Sequence, residues 1–137
     1  MTYDEWLATV PDNMKRDALW QFNAYPRAAF LYDLLWEDCE MLMKDVRGRA
    51  IAEQVIRSGG SIAANIEEGY GRGFGAEFAY FLRVAVGSAR ETRGWYYRAR
   101  RLLKPQALGH RLDLLDEIIG ALVKAADHQK HQARRKH

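Results

Sequence analysis

The chain has 137 residues, 48% of them hydrophobic, with one cysteine and three prolines: one domain, long enough to build a core without disulfides or a structural metal. The lone Cys39 excludes an intramolecular disulfide and any cysteine-based zinc site, and no run reaches the roughly 18 apolar residues of a membrane span. Net charge is only +3, yet residues 1–45 carry four basic and nine acidic side chains while residues 83–111 carry eight basic and one acidic.

The opening MTYDEWLATVPDN lacks a basic stretch followed by an apolar one, so no secretory signal is read there and a cytoplasmic location is expected. Trp6, Leu7, Leu19, Trp20 and Phe22 predict an N-terminal extension over 1–25, with one or two short helical turns packed on the rest. A first long helix follows from about Pro26 to Asp45, with Leu31, Leu35, Cys39, Leu42 and Val46 at steps of four and three. A second stripe of Ala29, Tyr32, Trp36, Cys39 and Met43 lies beside it, a face wider than one neighbouring helix requires and therefore suited to a partner subunit.

The second helix, about Arg47 to Glu68, uses Ile51, Val55, Gly59, Ile62 and Ile66. Ser58-Gly59-Gly60-Ser61 interrupts it, and because a mid-helix glycine costs about 1 kcal/mol against alanine, a compensating reason is expected. Close approach of another helix backbone is one such reason; a break with a restart at Ser61 is another. Residues 69–75, GYGRGFG, read as a turn. Gly71 to Ala76 nominally match GxGxxA, but no strand precedes them, which excludes a dinucleotide site and leaves Arg72 and nearby amides as an anion contact.

The third helix, about Ala76 to Leu103, shows a seam of Phe74, Phe78, Phe81, Ala85, Ser88, Thr92, Trp95, Ala99 and Leu102. A helical wheel sets Arg83, Arg90 and Arg101 opposite that seam, Arg98 and Lys104 flanking them, and Arg93 and Arg100 further round. Trp95, Tyr96 and Tyr97 interleave these cations and could stack on bases. After Pro105 a fourth helix uses Leu108, Leu112, Leu115, Ile119, Leu122 and Ala126, and residues 129–137 read as a basic, disordered tail. The expected fold is all-α, an antiparallel up-down four-helix bundle over 26–128 with a short N-terminal extension.

Catalytic and metal chemistry is not indicated. No Glu-x-x-His pair occurs, all four histidines lie after residue 109, and no Walker loop, GxSxG elbow or oriented Cys–His pair is present. No metal, no cofactor and no enzyme activity are expected. Ser61, Asn65 and Glu68 on the second helix and Ser88, Thr92 and Glu91 on the third predict an interhelical hydrogen-bond set, since buried polar groups must be paired. A Glu68–Glu91 acid–base pair is the sharper alternative. The basic stripe has three readings: nucleic-acid phosphate, an acidic protein surface such as the helix bearing Asp33, Glu37, Asp38 and Glu40, or a solvated face.

Two stretches are recognisable: Arg57-Ser58-Gly59-Gly60-Ser61-Ile62-Ala63-Ala64-Asn65-Ile66-Glu67-Glu68-Gly69-Tyr70-Gly71-Arg72, and Val86-Gly87-Ser88-Ala89-Arg90-Glu91. They resemble the bacterial four-helix-bundle proteins encoded by 23S rRNA intervening sequences, relatives of the accessory variability determinant of diversity-generating retroelements. The resemblance spans about residues 18–128, and Ser61, Asn65, Glu68, Gly69, Arg72, Gly87, Ser88 and Glu91 fit its pattern, while Glu67 departs from it. It implies a cytoplasmic, ring-like homopentamer with a positive surface that, in the retroelement branch, binds a reverse transcriptase and nucleic acid. The expectation is a non-catalytic oligomeric bundle binding RNA or DNA, or a nucleic-acid enzyme, through Arg83, Arg90, Arg93, Arg98, Arg100, Arg101, Lys104 and Arg72. The runner-up is a protein-interaction scaffold built on the wide first-helix face.

Overall fold

A computed structural model describes residues 1–135, with side chains through Gln132, and all its regular structure is helical. The elements are α1 (Tyr3–Thr9), α2 (Asp12–Lys15), a 3-10 turn (Ala18–Gln21), α3 (Ala24–Leu42), α4 (Val46–Gly71), α5 (Ala76–Arg98) and α6 (Pro105–Arg135). Each long helix packs on two others: α3 on α4 and α6, and α5 on α4 and α6. α1 and the 3-10 turn rest on α3.

Local chemistry sets the boundaries. Thr2 and Glu5 form a capping box that starts α1. Asp45 caps α4, accepting from the amides of Arg47 at 2.8 Å and Gly48 at 3.3 Å, while the Arg47 guanidinium grips the same carboxylate at 3.0 and 3.1 Å. That grip holds Asp45 down at about pKa 2. The turn between α4 and α5 uses Gly73 and Gly75 at φ of 96° and 95°, a region L side chains avoid.

The core is filled by Leu31, Leu35 and Leu42 of α3, Val55, Ile62 and Ile66 of α4, Leu82 and Tyr96 of α5, and Leu115, Ile118 and Leu122 of α6, all fully buried. Each large aliphatic among them contributes roughly 1.5–3 kcal/mol. Three helices meet at one ionic knot: Arg111 of α6 grips the buried Asp38 of α3 at 2.8 and 3.1 Å, and the Tyr96 hydroxyl donates to the same carboxylate at 2.7 Å. Burial and the Asp38 charge push the Tyr96 phenol well above its usual pKa.

The structure departs from the sequence expectations in five places. α4 is unbroken through Ser58–Ser61, and what Gly59 admits is the Leu35 side chain, not another backbone. α4 also continues through Gly69, where a Cβ would meet Phe81 Cβ at 2.6 Å. α5 ends at Arg98 with Ala99 as its C-cap, and the chain turns through Ala99–Lys104, the last of which Pro105 disfavours from helix, before α6 begins. α6 does not fray after Asp127: Gln129 is buried, and its side-chain oxygen accepts from the Gly75 amide at 2.8 Å, so helix persists to Arg135. Residues 136 and 137 of the expected tail lie outside the described residues. Finally, the seam of α5 is rotated to Phe78, Leu82, Ala85, Ala89, Thr92 and Tyr96, with Phe81, Ser88 and Trp95 only half-buried and Phe74 exposed.

Candidate nucleic-acid interface

The early end of α5 removes Arg100, Arg101 and Lys104 from the helix face on which the wheel set them; they occupy the turn into α6. The remaining cations have different fates. Arg93 donates to Asp116 of α6 at 2.7 Å. Arg98 folds back over the Trp95 ring, 4.8 Å from its centroid. Arg72 is shared by Glu68 at 2.9 Å and Glu77 at 3.3 Å, which raises its already high pKa. Arg83 and Arg90 are exposed and join no carboxylate among the described residues; they flank Gly87 in a cleft of about 290 Å³ between α5 and α6 that also holds Asp127.

The polar residues between α4 and α5 form a continuous set. Ser61 and Ser88 hydroxyls meet at 2.9 Å, Thr92 donates to Ser58 at 2.9 Å, and Asn65 donates back to the Ser61 carbonyl and hydroxyl at 2.8 and 2.9 Å. Glu68 and Glu91 are not in it. Glu68 is exposed and faces Arg72, whereas Glu91 is held by the Trp95 indole at 3.1 Å and by Arg57 of α4, contacts that lower its pKa. Because Glu91 pairs beside residue 57 and Glu68 lies eleven residues further along α4, about 16 Å separate the two sites along the axis, too far for an acid–base pair.

On the other side of α4, the N-terminal extension leaves a groove of about 500 Å³ against α3 and α4. Trp6, Trp20, Tyr25 and Tyr32 line it, with the Trp6 indole donating to Asp33 at 2.7 Å and the Tyr25 hydroxyl to Glu67 at 2.6 Å. Trp36 is 59% exposed and Met43 54%, so the second apolar stripe of α3 lacks cover at these two positions, while Cys39 is buried and Ala29 and Tyr32 are half-buried. Glu67 thus has its partner at the start of α3. Of the aromatic side chains expected to stack on bases, only Tyr97 is exposed; Trp95 is half-buried and Tyr96 is sealed in the knot.

Among the described residues no group of three or more His, Cys, Asp or Glu side chains is placed to share a metal ion, and no helix is long and apolar enough to cross a membrane. Cys39 is buried, and burial followed by the Asp38 charge pushes its thiol up to about 11. Sequence reasoning missed the Asp38–Arg111–Tyr96 knot, although Asp38 stands four residues from both Leu34 and Leu42, an ionisable group on an apolar period.

A family model described as 23S rRNA-intervening sequence protein matches residues 21–124. A crystal structure of a protein of unknown function from the S23 ribosomal protein family of Bacteroides thetaiotaomicron VPI-5482 superposes with a TM-score of 0.68, at 22% identity, over 74% of this chain and 95% of that one. No curated protein matches the chain.

Proposed function

Starting from a chain that belongs to the 23S rRNA-intervening sequence protein family, we propose a non-catalytic, oligomeric helical protein that binds nucleic acid through arginines of α5 and the turn that follows it. One observation carries this reading. Arg83, Arg90 and Arg101 are exposed and engage no carboxylate among the described residues, while Arg57, Arg72, Arg93 and Arg111 of the same protein all do. Unneutralised guanidinium groups attract a polyanion, and neighbours such as Arg83 and Arg90 repel one another until it meets them. The closed circuit of helix contacts and the three short connections favour an antiparallel up-down bundle over 26–128 as the scaffold. A cytoplasmic accessory role beside a reverse transcriptase or another nucleic-acid enzyme fits such a surface.

The test is binding of the full chain to a mixed RNA and DNA pool, with its mass in solution measured with and without the pool. Wild type is expected to bind with an affinity that falls steeply with salt, and the triple variant Arg83→Glu, Arg90→Glu, Arg101→Glu to lose binding while keeping its helical circular dichroism. Unchanged affinity in that variant removes the proposed surface. The uncovered Trp36 and Met43 and the aromatic groove favour a second element of the reading, self-association as a ring-like homopentamer or a protein scaffold. A monomeric mass at all concentrations would sink that element alone.

A further inference from the structure

Resting on the nucleic-acid reading, we infer that the strongest phosphate contacts lie at the turn that follows α5, at one end of the molecule, rather than along the helix itself, and that the polyanion is single-stranded. The corner between α3 and α4 and the corner between α5 and α6 lie side by side. Gly48 is buried, and a Cβ there would sit 2.9 Å from Leu102 Cδ1 and collide with the Leu42 carbonyl. Residues 43–49 and 99–105 therefore share one end, and together they carry Lys44, Arg47, Arg49, Arg100, Arg101 and Lys104 against the single carboxylate of Asp45.

That carboxylate is already spent on Arg47 and on capping α4. Arg49 donates to the Met43 carbonyl at 3.1 Å, and Lys44, Arg101 and Lys104 are exposed with no ion pair among the described residues. The cations do not stand alone. Tyr97 is 56% exposed, with the Arg100 guanidinium 4.2 Å from its ring centroid, and Val46 is 78% exposed beside Met43. Directly beneath, the Asp38–Arg111–Tyr96 knot ties α3, α5 and α6 together, so the end is rigidly based.

Five cations without a carboxylate partner among the described residues, one of them lying over an open aromatic ring, present two kinds of contact at once. Phosphates answer the cations, and an unpaired base can lie on Tyr97 or against its Arg100 partner. A duplex offers the phosphates but keeps its bases stacked in pairs, so the ring and the apolar rim go unused. The cleft around Arg83 and Arg90, by contrast, is lined by two cations and the opposing charge of Asp127, and the exposed Tyr80 one turn from Arg83 has no guanidinium over its ring among the described residues.

The experiment is fluorescence anisotropy of the full chain with a labelled 20-nucleotide single strand, as DNA and as RNA, and with the matching duplex. Three variants are compared with wild type: Lys44→Glu, Arg101→Glu, Lys104→Glu together; Arg83→Glu, Arg90→Glu together; and Tyr97→Ala. All of these residues are exposed, Lys104 contributing only its backbone carbonyl to the start of α6, and circular dichroism monitors folding. The corner triple is expected to weaken single-strand binding at least 30-fold and the α5 pair by a smaller factor of about 3–10, as order-of-magnitude expectations from removed phosphate contacts. Tyr97→Ala is expected to weaken single-strand binding about 10-fold and duplex binding little. With five phosphates engaged, a fourfold rise in salt lowers affinity by about 130-fold, against about 7-fold for two. Loss in the α5 pair with retention in the corner triple overturns the inference and leaves the nucleic-acid reading standing. A duplex preference, or a silent Tyr97→Ala, overturns the single-strand assignment. Wild type that binds no probe at all ends both.

Discussion

Replacing Asp38 by Asn isolates the charge at the centre of the three-helix knot. Asparagine keeps the shape and can still accept from the Tyr96 hydroxyl, so what disappears is the carboxylate that faces Arg111. The side chains of Arg111 and Asp38 are 12% and 8% exposed, so water cannot replace the lost partner. Breaking such a pair from one side costs about 3–5 kcal/mol. At about 2.1 cal/mol/K per residue of unfolding entropy, one kcal/mol moves the midpoint by about 3.5 °C, so Asp38→Asn should melt about 10–17 °C below wild type. Urea unfolding at pH 7 with an unchanged m-value is the matching equilibrium assay. The double variant Asp38→Asn, Arg111→Met should recover a large part of the loss, because it removes the orphaned cation as well. A single-variant loss under about 1 kcal/mol, the range of an exposed pair, would refute the claim that the knot is dry. So would a double variant no better than the single.

Two glycines that look alike in the sequence should respond oppositely to alanine. At Gly69 the new methyl meets Phe81 Cβ at 2.6 Å and Phe78 at 3.0 Å, while at Gly87 nothing lies within 4 Å; Gly69→Ala should destabilise by about 1–3 kcal/mol and Gly87→Ala stabilise by about 0.5–1 kcal/mol, both read from thermal melts. Alkaline pH should unfold the protein through its tyrosines. Tyr96 has a folded pKa raised by burial and by Asp38, so its contribution is intact below the ordinary value near 10 and is lost as pH rises toward the folded value. Tyr96→Phe should flatten that limb; Tyr25 and Tyr3, also raised chiefly by burial, leave a residual slope, and no change in slope would count against the assignment. At the acid end, Asp45 with its pKa lowered to about 2 by the Arg47 side chain gives stability present above the ordinary carboxylate value and lost as pH falls through 2. Asp45→Asn keeps the cap and should remove that part of the acid transition in a pH titration followed by circular dichroism.

The four long helices were legible because their apolar residues repeat at three and four, a signal that survives whatever packs against them. Placement around α5 was less legible. A helix with two neighbours buries two stripes, and the chosen seam followed Phe81, Ser88 and Trp95 on the α4 side while missing Leu82, Ala89 and Tyr96. The end of α5 was hidden for a related reason. Leu102 and Leu103 continue the helical period, but they are apolar because the turn itself is packed, not because the helix persists. Gln129 shows the reverse case, a polar residue that anchors a helix end through one backbone amide and carries no hydrophobic signal. The serine ladder between α4 and α5 could be anticipated because small hydroxyls at core spacing have few other ways to be paired. The Asp38–Arg111 pair joins residues 73 apart in the chain, a separation that local spacing does not encode.

Charge shows the difference between chain order and surface most plainly. Counted along the sequence, residues 83–111 are a basic block and residues 1–45 an acidic one. Folding re-sorts both. Arg111 leaves the basic block to neutralise Asp38, Arg93 is taken by Asp116, and Arg98 lies on Trp95. Lys44, from the acidic segment, and Arg47 and Arg49, from a segment that is neutral overall, come instead to stand beside Arg100, Arg101 and Lys104. Neither block predicts that assembly, because it is made by one corner packing on the other, with Leu102 against Gly48. A bulkier residue at position 48 would collide with the Leu42 carbonyl and force the α3–α4 turn that carries Lys44, Arg47 and Arg49 to re-form without altering a single charge, so the electrostatics of this end depend on a packing contact. Affinity for a polyanion and stability of the corner are therefore expected to fall together in Gly48→Ala, whereas charge reversal at Lys44, Arg101 and Lys104 should lower the first and spare the second.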